Sequence, residues 1–286
     1  MHPTWQATKP EDPEDGHHGW KFYDSADPNR VPFVPPCGTG SIDFPGMEKC
    51  PIDGVETIRD IYSLVADTKE VKKFVVPILW DKETKSIVNN ESSEIVRMFS
   101  TEFDEFATGV NKNLDLYPLE LREEIDSFNE WIYPGINDGV YRCGFAKTQV
   151  AYEDAATTLF AALDRLEECL STSRFLCGAG TPGGSRLTEA DLRVFMTLVR
   201  FDEVYVVYFK TNRKRIIDYP NIRQYVRDIY NLHERVIGNG IDMDDIKTHY
   251  FTSHMSLNPY AIIPLGPKPS ALEDMQMPAE GRDNLA

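Results

Sequence analysis

The sequence predicts a small α/β part followed by a larger all-helical part. Residues 76–93, VPILWDKETKSIVNNESS, have the pattern of a strand, a turn, a second strand and a helix start. From about residue 118 to 250, apolar residues recur mainly at helical spacing. A length of 286 residues accommodates one large domain or two modest ones. The order of these patterns places the strands before nearly all of the helices.

The first 55 residues are rich in Pro, Gly, Asp and Glu, and they predict mostly loop, with a loop-rich insert at 28–55. Residues 56–66, ETIRDIYSLVA, predict a short amphipathic helix. Its inward face is formed by Ile58, Ile61, Tyr62 and Val65.

An apolar run from Phe74 to Leu79 predicts the first strand of the pair. Pro77 argues against an ordinary central strand, because proline has no N–H for the ladder. A cis Val76–Pro77 bond explains the proline and exposes the neighbouring backbone to a ligand. Residues 81–85 predict a tight connection, and residues 86–90 predict the second strand.

Glu91 and Ser92 begin a predicted amphipathic helix with Ile95, Met98 and Phe99 on one face. A helix start offers free N–H groups and the positive end of a dipole, so it favours an anion. Glu91 is expected to bind an ammonium group. The hydroxyl and backbone N–H of Ser92 are expected to bind a carboxylate. The γ-glutamyl end of glutathione is a zwitterion of this kind.

The remaining chain predicts four helices: 118–142, kinked at Pro134–Gly135; 147–171; one beginning at 187–192; and 219–235. The second has apolar residues near the 3.6-residue period, namely Val150, Ala155, Leu159, Leu163, Leu166 and Leu170. In the third, Thr188 is the expected N-cap and Asp191 its reciprocal acid. The residues from Pro264 onward predict an extended tail.

The composition favours a cytoplasmic protein without nucleic-acid or membrane partners. The net charge of −16 disfavours nonspecific binding to nucleic acid or anionic lipid. No apolar run approaches the roughly 20 residues that span a bilayer, and the N-terminus lacks a basic-then-apolar signal pattern.

The five cysteines predict neither a disulfide framework nor a metal site, because their number is odd and no CxxC spacing occurs. Cys50 precedes a predicted helix, where a thiolate would be stabilised, but a loop thiol without a catalytic role is favoured. Cys37 lies in a Pro/Gly loop and is a weaker candidate. Cys143, Cys169 and Cys177 are expected to be small packing residues.

The stretch from Val76 to Ser93 resembles the glutathione site of the glutathione transferase superfamily, which joins a cis-proline turn to a Glu-Ser helix start. The longer string LWDKETKSIVNNESSEIVRMF resembles one branch, the Xi class or glutathionyl-hydroquinone reductases. Four further motifs match this class in order: GINDGVYRCGFA, LTEADLRVF, RFDEVYVVYFKTN and KTHYFTSHMSLNP. The resemblance covers nearly the whole chain except residues 28–55.

The resemblance implies a thioredoxin-like N-terminal domain at 1–106, a linker at 107–117, a helical domain at 118–263 and a tail at 264–286. The class has a sheet in the order 2-1-3-4 and a catalytic cysteine in a Cys-Pro-Trp-Ala motif, a tetrapeptide that residues 1–286 do not contain. The nucleophile, the first strand and the first helix are therefore expected upstream of Met1. This implies an incomplete and destabilised N-terminal domain, and no catalytic residue within the chain.

The implied reaction uses glutathione as co-substrate: a cysteine thiolate attacks the sulfur of a glutathionyl-hydroquinone, and a second glutathione resolves the mixed disulfide. The residues that match the glutathione site are Trp20, Lys73, Val76, Pro77, Glu91 and Ser92. The tyrosines that match the hydroquinone pocket are Tyr141, Tyr205 and Tyr250. The class also implies a homodimer and no metal.

Two other functions stay open at the level of sequence. The missing Cys-Pro-Trp-Ala motif favours a catalytically inactive binding or scaffold protein of the same fold. A conventional serine- or tyrosine-type transferase is weaker, because those catalytic residues also lie near the expected N-terminus of the domain.

Overall fold

The computed structural model describes residues 4–8, 12, 14–30, 32–35, 37, 40–44, 47–65, 73–107, 114–181, 184–232 and 240–266. By their contacts, the described residues up to Val96 and those from Asp244 to Pro264 form one compact unit, and those from Arg97 to Met243 form a second. Residues 97–106 thus group with the helical part and 244–264 with the N-terminal part, whereas the sequence places both boundaries differently.

The first unit contains two antiparallel strand pairs. Strand β1 (Thr4–Ala7) pairs with β2 (His18–Lys21), with Trp5 opposite Trp20. This hairpin corrects the prediction of loop in that region, because four-residue strands around a Pro/Asp-rich connection leave too few residues for a strand pattern. Strand β3 (Leu79–Asp81) pairs with β4 (Ser86–Asn89).

The predicted first strand of the second pair begins later than expected, at Leu79 rather than Phe74. Pro77 lies in the expected run and has no N–H to donate to a ladder. Among the described residues, the strands form two separate two-stranded sheets rather than one four-stranded sheet. The α/β character of the N-terminal part is confirmed, although its strands are short.

Helix α1 (Ile58–Ser63) carries the apolar core of the first unit. Thr57 caps it, and the Asp60 carboxylate accepts hydrogen bonds from the backbone N–H groups of Thr57 and Glu56, at 2.7 and 3.0 Å. The core cluster comprises Phe22, Cys50, Val55, Ile58, Ile61 and Tyr62, with Trp20, Ile52, Phe74, Ile78, Trp80 and Ile87 packed against it. Val65 is exposed, contrary to prediction, because the helix ends before it.

Helix α2 (Ser92–Thr101) leads from the first unit into the second. The second unit continues with α3 (Arg122–Ile132), α4 (Gly139–Gly144), α5 (Gln149–Cys169), α6 (Glu189–Arg200), α7 (Val206–Tyr208) and α8 (Pro220–Leu232). Residues Tyr133–Asn137 form a π-helical segment at the predicted kink. Helix α9 (Met243–Ser253) follows, and nearly all of it groups with the first unit.

The core of the second unit contains the predicted face of α5 with one exception. Ala155, Leu159, Leu163, Leu166 and Leu170 are buried, but Val150 is 67% exposed. Val150 lies five residues before Ala155, which places it about 140° around the helix from that face. The predicted extended tail lies almost wholly outside the described residues.

Carboxylates fix the starts of two helices in the second unit. The predicted capping box of α6 is present, with the Asp191 carboxylate accepting from the Thr188 N–H at 2.9 Å. Glu167 accepts hydrogen bonds from the N–H groups of Asn221 and Ile222, each at 2.8 Å, at the start of α8. Within the described ranges, no helix combines the length and apolarity that crossing a bilayer requires.

Candidate glutathione site

The start of α2 has the arrangement that the sequence predicts. The Glu91 carbonyl accepts from the Ile95 N–H at 3.0 Å and so begins the helix. Asn89 supports this start, because its Oδ1 accepts from the Glu91 N–H at 2.6 Å and its Nδ2 donates to Glu94 at 2.6 Å. Glu91 and Ser92 are both exposed, so their side chains are accessible to a ligand at the N-terminal end of the helix.

The Val76–Pro77 bond is cis, which confirms the sequence prediction. Val75 and Val76 are exposed, at 38% and 44% of their surface, although both are apolar. The carbonyl of Val75 accepts a hydrogen bond from the Tyr62 hydroxyl at 3.0 Å. This loop is therefore hydrogen-bonded to α1 at Val75, and its next residue, Val76, is accessible.

Tyr62 also accepts a hydrogen bond from the Nδ2 of Asn90, at 2.9 Å. One buried hydroxyl thus contacts both the residue before Val76 and the residue before Glu91. The sequence predicts Tyr62 only on the inward face of a helix. The segments that it contacts lie 13 and 28 residues farther along the chain, and no local pattern relates them to it.

Trp20 lies half-buried on β2 and packs against the core cluster of the first unit. Its ring stacks on that of His249, with centroids 4.9 Å apart and planes 25° apart. His249 in turn contacts Tyr250 edge-on at 5.6 Å. Trp20 and Tyr250 are therefore both neighbours of His249 within the first unit.

Lys73 is exposed and lies in the loop before Pro77. A lysine there offers a compact charge on a flexible stem, in contrast to the bidentate fork of an arginine.

Tyr141 on α4 and Tyr205, the last residue of a π-helical segment at Phe201–Tyr205, come together in the second unit. Their ring centroids are 6.0 Å apart, and Phe209 contacts both rings, at 5.3 Å from Tyr141 and 5.4 Å from Tyr205. Tyr205 is 1% exposed, whereas Tyr141 is only partly buried. An added Cβ at Gly144 would overlap the Phe209 ring, so this glycine allows α4 and Phe209 to approach each other closely.

Four of the cysteines have the properties of packing residues. Burial raises the pKa of Cys50 and Cys169, and it raises the pKa of Cys143 to about 11 and of Cys177 to about 12. A nucleophilic thiol requires a lowered pKa, so these four are unsuited to that role at neutral pH. Cys37 is exposed. In the parts of the chain that the structure describes, no three His, Cys, Asp or Glu side chains converge as a metal site.

Comparisons with known proteins agree with this fold. Residues 149–228 match the family model described as glutathione S-transferase, C-terminal domain. A relative from Escherichia coli (strain K12), named glutathionyl-hydroquinone reductase YqjG, is 41% identical over 266 residues, which cover 93% of this chain and 70% of the relative. Another from Sphingobium chlorophenolicum, glutathionyl-hydroquinone reductase PcpF, is 45% identical over 226 residues, or 78% of this chain and 68% of that one.

Two solved structures are similar in fold as well as in sequence. The glutathione-bound structure of YqjG is 40% identical with a TM-score of 0.76, covering 93% of this chain and 75% of that chain. The glutathione transferase Xi 1 from Trametes versicolor is 43% identical with a TM-score of 0.75, covering 89% and 79%. These matches define a protein of the glutathione transferase superfamily. Within it, the chain belongs to the Xi class, the branch of the glutathionyl-hydroquinone reductases.

Proposed function

We propose that the protein is a glutathionyl-hydroquinone reductase that binds glutathione between the Val76–Pro77 loop and the start of α2. The observation that carries the proposal is the exposed Glu91–Ser92 pair at the N-terminus of α2. The names of the two bacterial relatives favour an enzyme over a binding or scaffold protein.

The γ-glutamyl end of glutathione suits the start of α2. The Glu91 carboxylate is the partner for the ammonium group, and the Ser92 hydroxyl and N–H are the partners for the carboxylate. The positive end of the helix dipole adds to the attraction of the carboxylate. The exposed backbone of Val76 is then the partner for the cysteinyl part of the peptide, with Pro77 fixing the loop and Trp20 and Lys73 as further contacts.

The aromatic substrate suits tyrosines, because a phenolic O–H donates to a quinone or phenolate oxygen while the ring packs on the substrate. The adjacent rings of Tyr141 and Tyr205 support this role. Tyr250 is proposed to take part as well, on the basis of its motif THYFTSH and its contact with His249.

In the proposed reaction, a cysteine thiolate attacks the sulfur of a glutathionyl-hydroquinone. The carbon–sulfur bond breaks, the ring carbon takes a proton, and a protein–glutathione mixed disulfide forms. A second glutathione then attacks this disulfide, which releases oxidised glutathione and restores the thiolate. The residues proposed to bind the two substrates all lie within residues 1–286, which contain no Cys-Pro-Trp-Ala motif.

Calorimetric titration with glutathione tests the binding site. Glu91→Gln keeps the shape of the side chain but removes its charge, so the ammonium loses a charge-assisted hydrogen bond. Such a bond contributes about 2 kcal/mol, so the Kd should rise about 30-fold. Glu83→Gln is the matched control, because Glu83 is an exposed acid in the β3–β4 turn. Equal affinities for wild type and E91Q would refute the assignment.

The enzymatic part is tested on the protein isolated from its natural source. It is mixed with glutathione and a glutathionyl-hydroquinone, and chromatography follows the products. Free hydroquinone and oxidised glutathione should form in equal amounts. Tight binding of glutathione without turnover would instead support the binding-protein alternative.

A homodimer and a cytoplasmic location are also part of the proposal. The homodimer rests on the resemblance to the Xi class, and the location rests on the composition of the sequence. Sedimentation equilibrium distinguishes a dimer from a monomer, and fractionation of the source cells tests the location.

A further inference from the structure

A single side chain on α1 connects the two halves of the proposed glutathione site. Tyr62 is 7% exposed, and its hydroxyl donates to the Val75 carbonyl at 3.0 Å. The same oxygen accepts from the Nδ2 of Asn90 at 2.9 Å. Val75 precedes the proposed backbone contact at Val76, and Asn90 precedes the proposed ammonium ligand, Glu91.

The position of this hydroxyl is fixed by the core. The Tyr62 ring belongs to the buried cluster of the first unit and meets the Phe74 ring edge-on at 5.5 Å. The helix that carries it is anchored by the capping box of Thr57 and Asp60. By contrast, the two segments that it contacts lie in connections outside the strands and helices. A rigid donor–acceptor group therefore holds two loops in place.

We propose that Tyr62 is a positioning residue that sets the separation between the Val76 backbone and the Glu91–Ser92 helix start. The inference rests on the proposed function, since it concerns how the same site is preorganised for glutathione. The γ-glutamyl and cysteinyl parts of the peptide are covalently joined, so both contacts form together only when the separation is correct. If only a fraction of the molecules has both loops in the binding-competent arrangement, the apparent affinity for glutathione is lowered by that fraction.

The experiment compares two tyrosines of equal burial. Tyr62→Phe removes the hydroxyl and both hydrogen bonds while keeping the ring in the core. Tyr23→Phe is the matched control, because Tyr23 is also 7% exposed and its hydroxyl donates to Asp43 at 2.8 Å. Calorimetric titration should give a Kd for glutathione about tenfold higher in Y62F and unchanged in Y23F. The two variants should lose similar amounts of Tm.

A second pair of variants separates positioning from stability. Asn90→Leu breaks the bridge from the other side at a partly exposed residue, so it tests the idea even if Y62F does not fold. In the double variant Y62F/N90L the Tyr62–Asn90 hydrogen bond is replaced by apolar groups on both sides, so only the Val75 carbonyl still lacks its donor and part of the stability is restored. We expect its Tm to recover toward that of wild type while its Kd for glutathione stays raised.

The outcomes are distinguishable. If wild type binds glutathione and E91Q weakens it, but Y62F and N90L bind as wild type does, the positioning role is refuted while the proposed function stands. Recovery of the Kd together with the Tm in the double variant also refutes it, because the effect would then come from stability alone. If wild type does not bind glutathione, the proposed function fails and this inference fails with it.

Discussion

The strongest effect on stability is expected from Asp191→Ala at the start of α6. Asp191 is fully buried, and its carboxylate accepts four hydrogen bonds. The donors are the Leu176 N–H at 3.0 Å, the Thr188 N–H at 2.9 Å, the Thr188 hydroxyl at 3.0 Å and the Tyr225 hydroxyl at 2.8 Å. Alanine removes the acceptor of all four, and burial keeps bulk water from replacing it.

The expected loss of stability depends on which donors can find another acceptor. The two hydroxyls can rotate toward other acceptors, but the N–H groups of Leu176 and Thr188 are fixed by the backbone. Each buried donor without a partner costs about 1–3 kcal/mol, so the variant should lose about 4 kcal/mol. This is a large part of the roughly 5–15 kcal/mol by which proteins of ordinary stability are folded.

The chain provides its own control in the capping box of α1. Asp60 accepts from the N–H groups of Thr57 and Glu56, but it is only partly buried, so water can replace the lost carboxylate. Asp60→Ala should cost about 1 kcal/mol, the usual effect of losing a helix cap. Each carboxylate accepts from two backbone N–H groups; the two sites differ in burial and in the two hydroxyls that also donate to Asp191.

Urea denaturation followed by far-UV circular dichroism measures both variants. At a slope of about 2 kcal/mol per molar urea, D191A should lower the midpoint of helix unfolding by about 2 M. Equal losses in D191A and D60A would show that burial of the Asp191 carboxylate adds nothing, and the reasoning from unsatisfied donors would be refuted.

Two further predictions follow from raised pKa values and from exposure. Burial raises the pKa of Asp202 from 3.8 to about 6, so the folded state keeps a proton that the unfolded chain releases. The protonated Asp202 carboxyl thereby adds about 3 kcal/mol to the free energy of unfolding. This contribution is fully present below about pH 4 and is lost as the pH rises to about 6. The difference in stability between wild type and Asp202→Asn should follow this curve, and a pH-independent difference would contradict it. In the native protein, Cys37 should react rapidly with a thiol reagent, while Cys50 and Cys177, which are buried and have raised pKa values, react slowly. Cys37→Ser should remove the fast phase, and a fast phase that persists in C37S would show that another thiol is accessible.

The features that the sequence predicts correctly are those with a local physical signature. Pro77 inside an apolar run indicated the cis bond, because a proline there needs a special backbone. Thr188 and Asp191 are three residues apart, the spacing of a capping box, and the structure contains that box. The helix start at Glu91–Ser92 is predicted because the apolar residues after β4 recur at helical spacing.

The errors arise where a local pattern competes with its surroundings. Val65 continues the apolar period of α1, but the helix ends before that residue, and the side chain is exposed. The hairpin of β1 and β2 was missed because each strand has only four residues. The apolar run from Phe74 to Leu79 predicts more strand than forms, since Pro77 within it has no N–H for a ladder.

The residue proposed to position the site, Tyr62, cannot be predicted from the sequence. The reason also bears on which substitutions should be made to study the site. Glu91, Ser92 and Pro77 lie in one continuous motif, so a short string identifies them. Tyr62 is a tyrosine of ordinary type in an ordinary helix, and only folding brings it to residues 13 and 28 positions away. Preorganisation generally depends on such distant neighbours, because a loop cannot fix its own position. Substitutions confined to the motif would therefore measure the ligand's contacts and miss the residue that sets their separation.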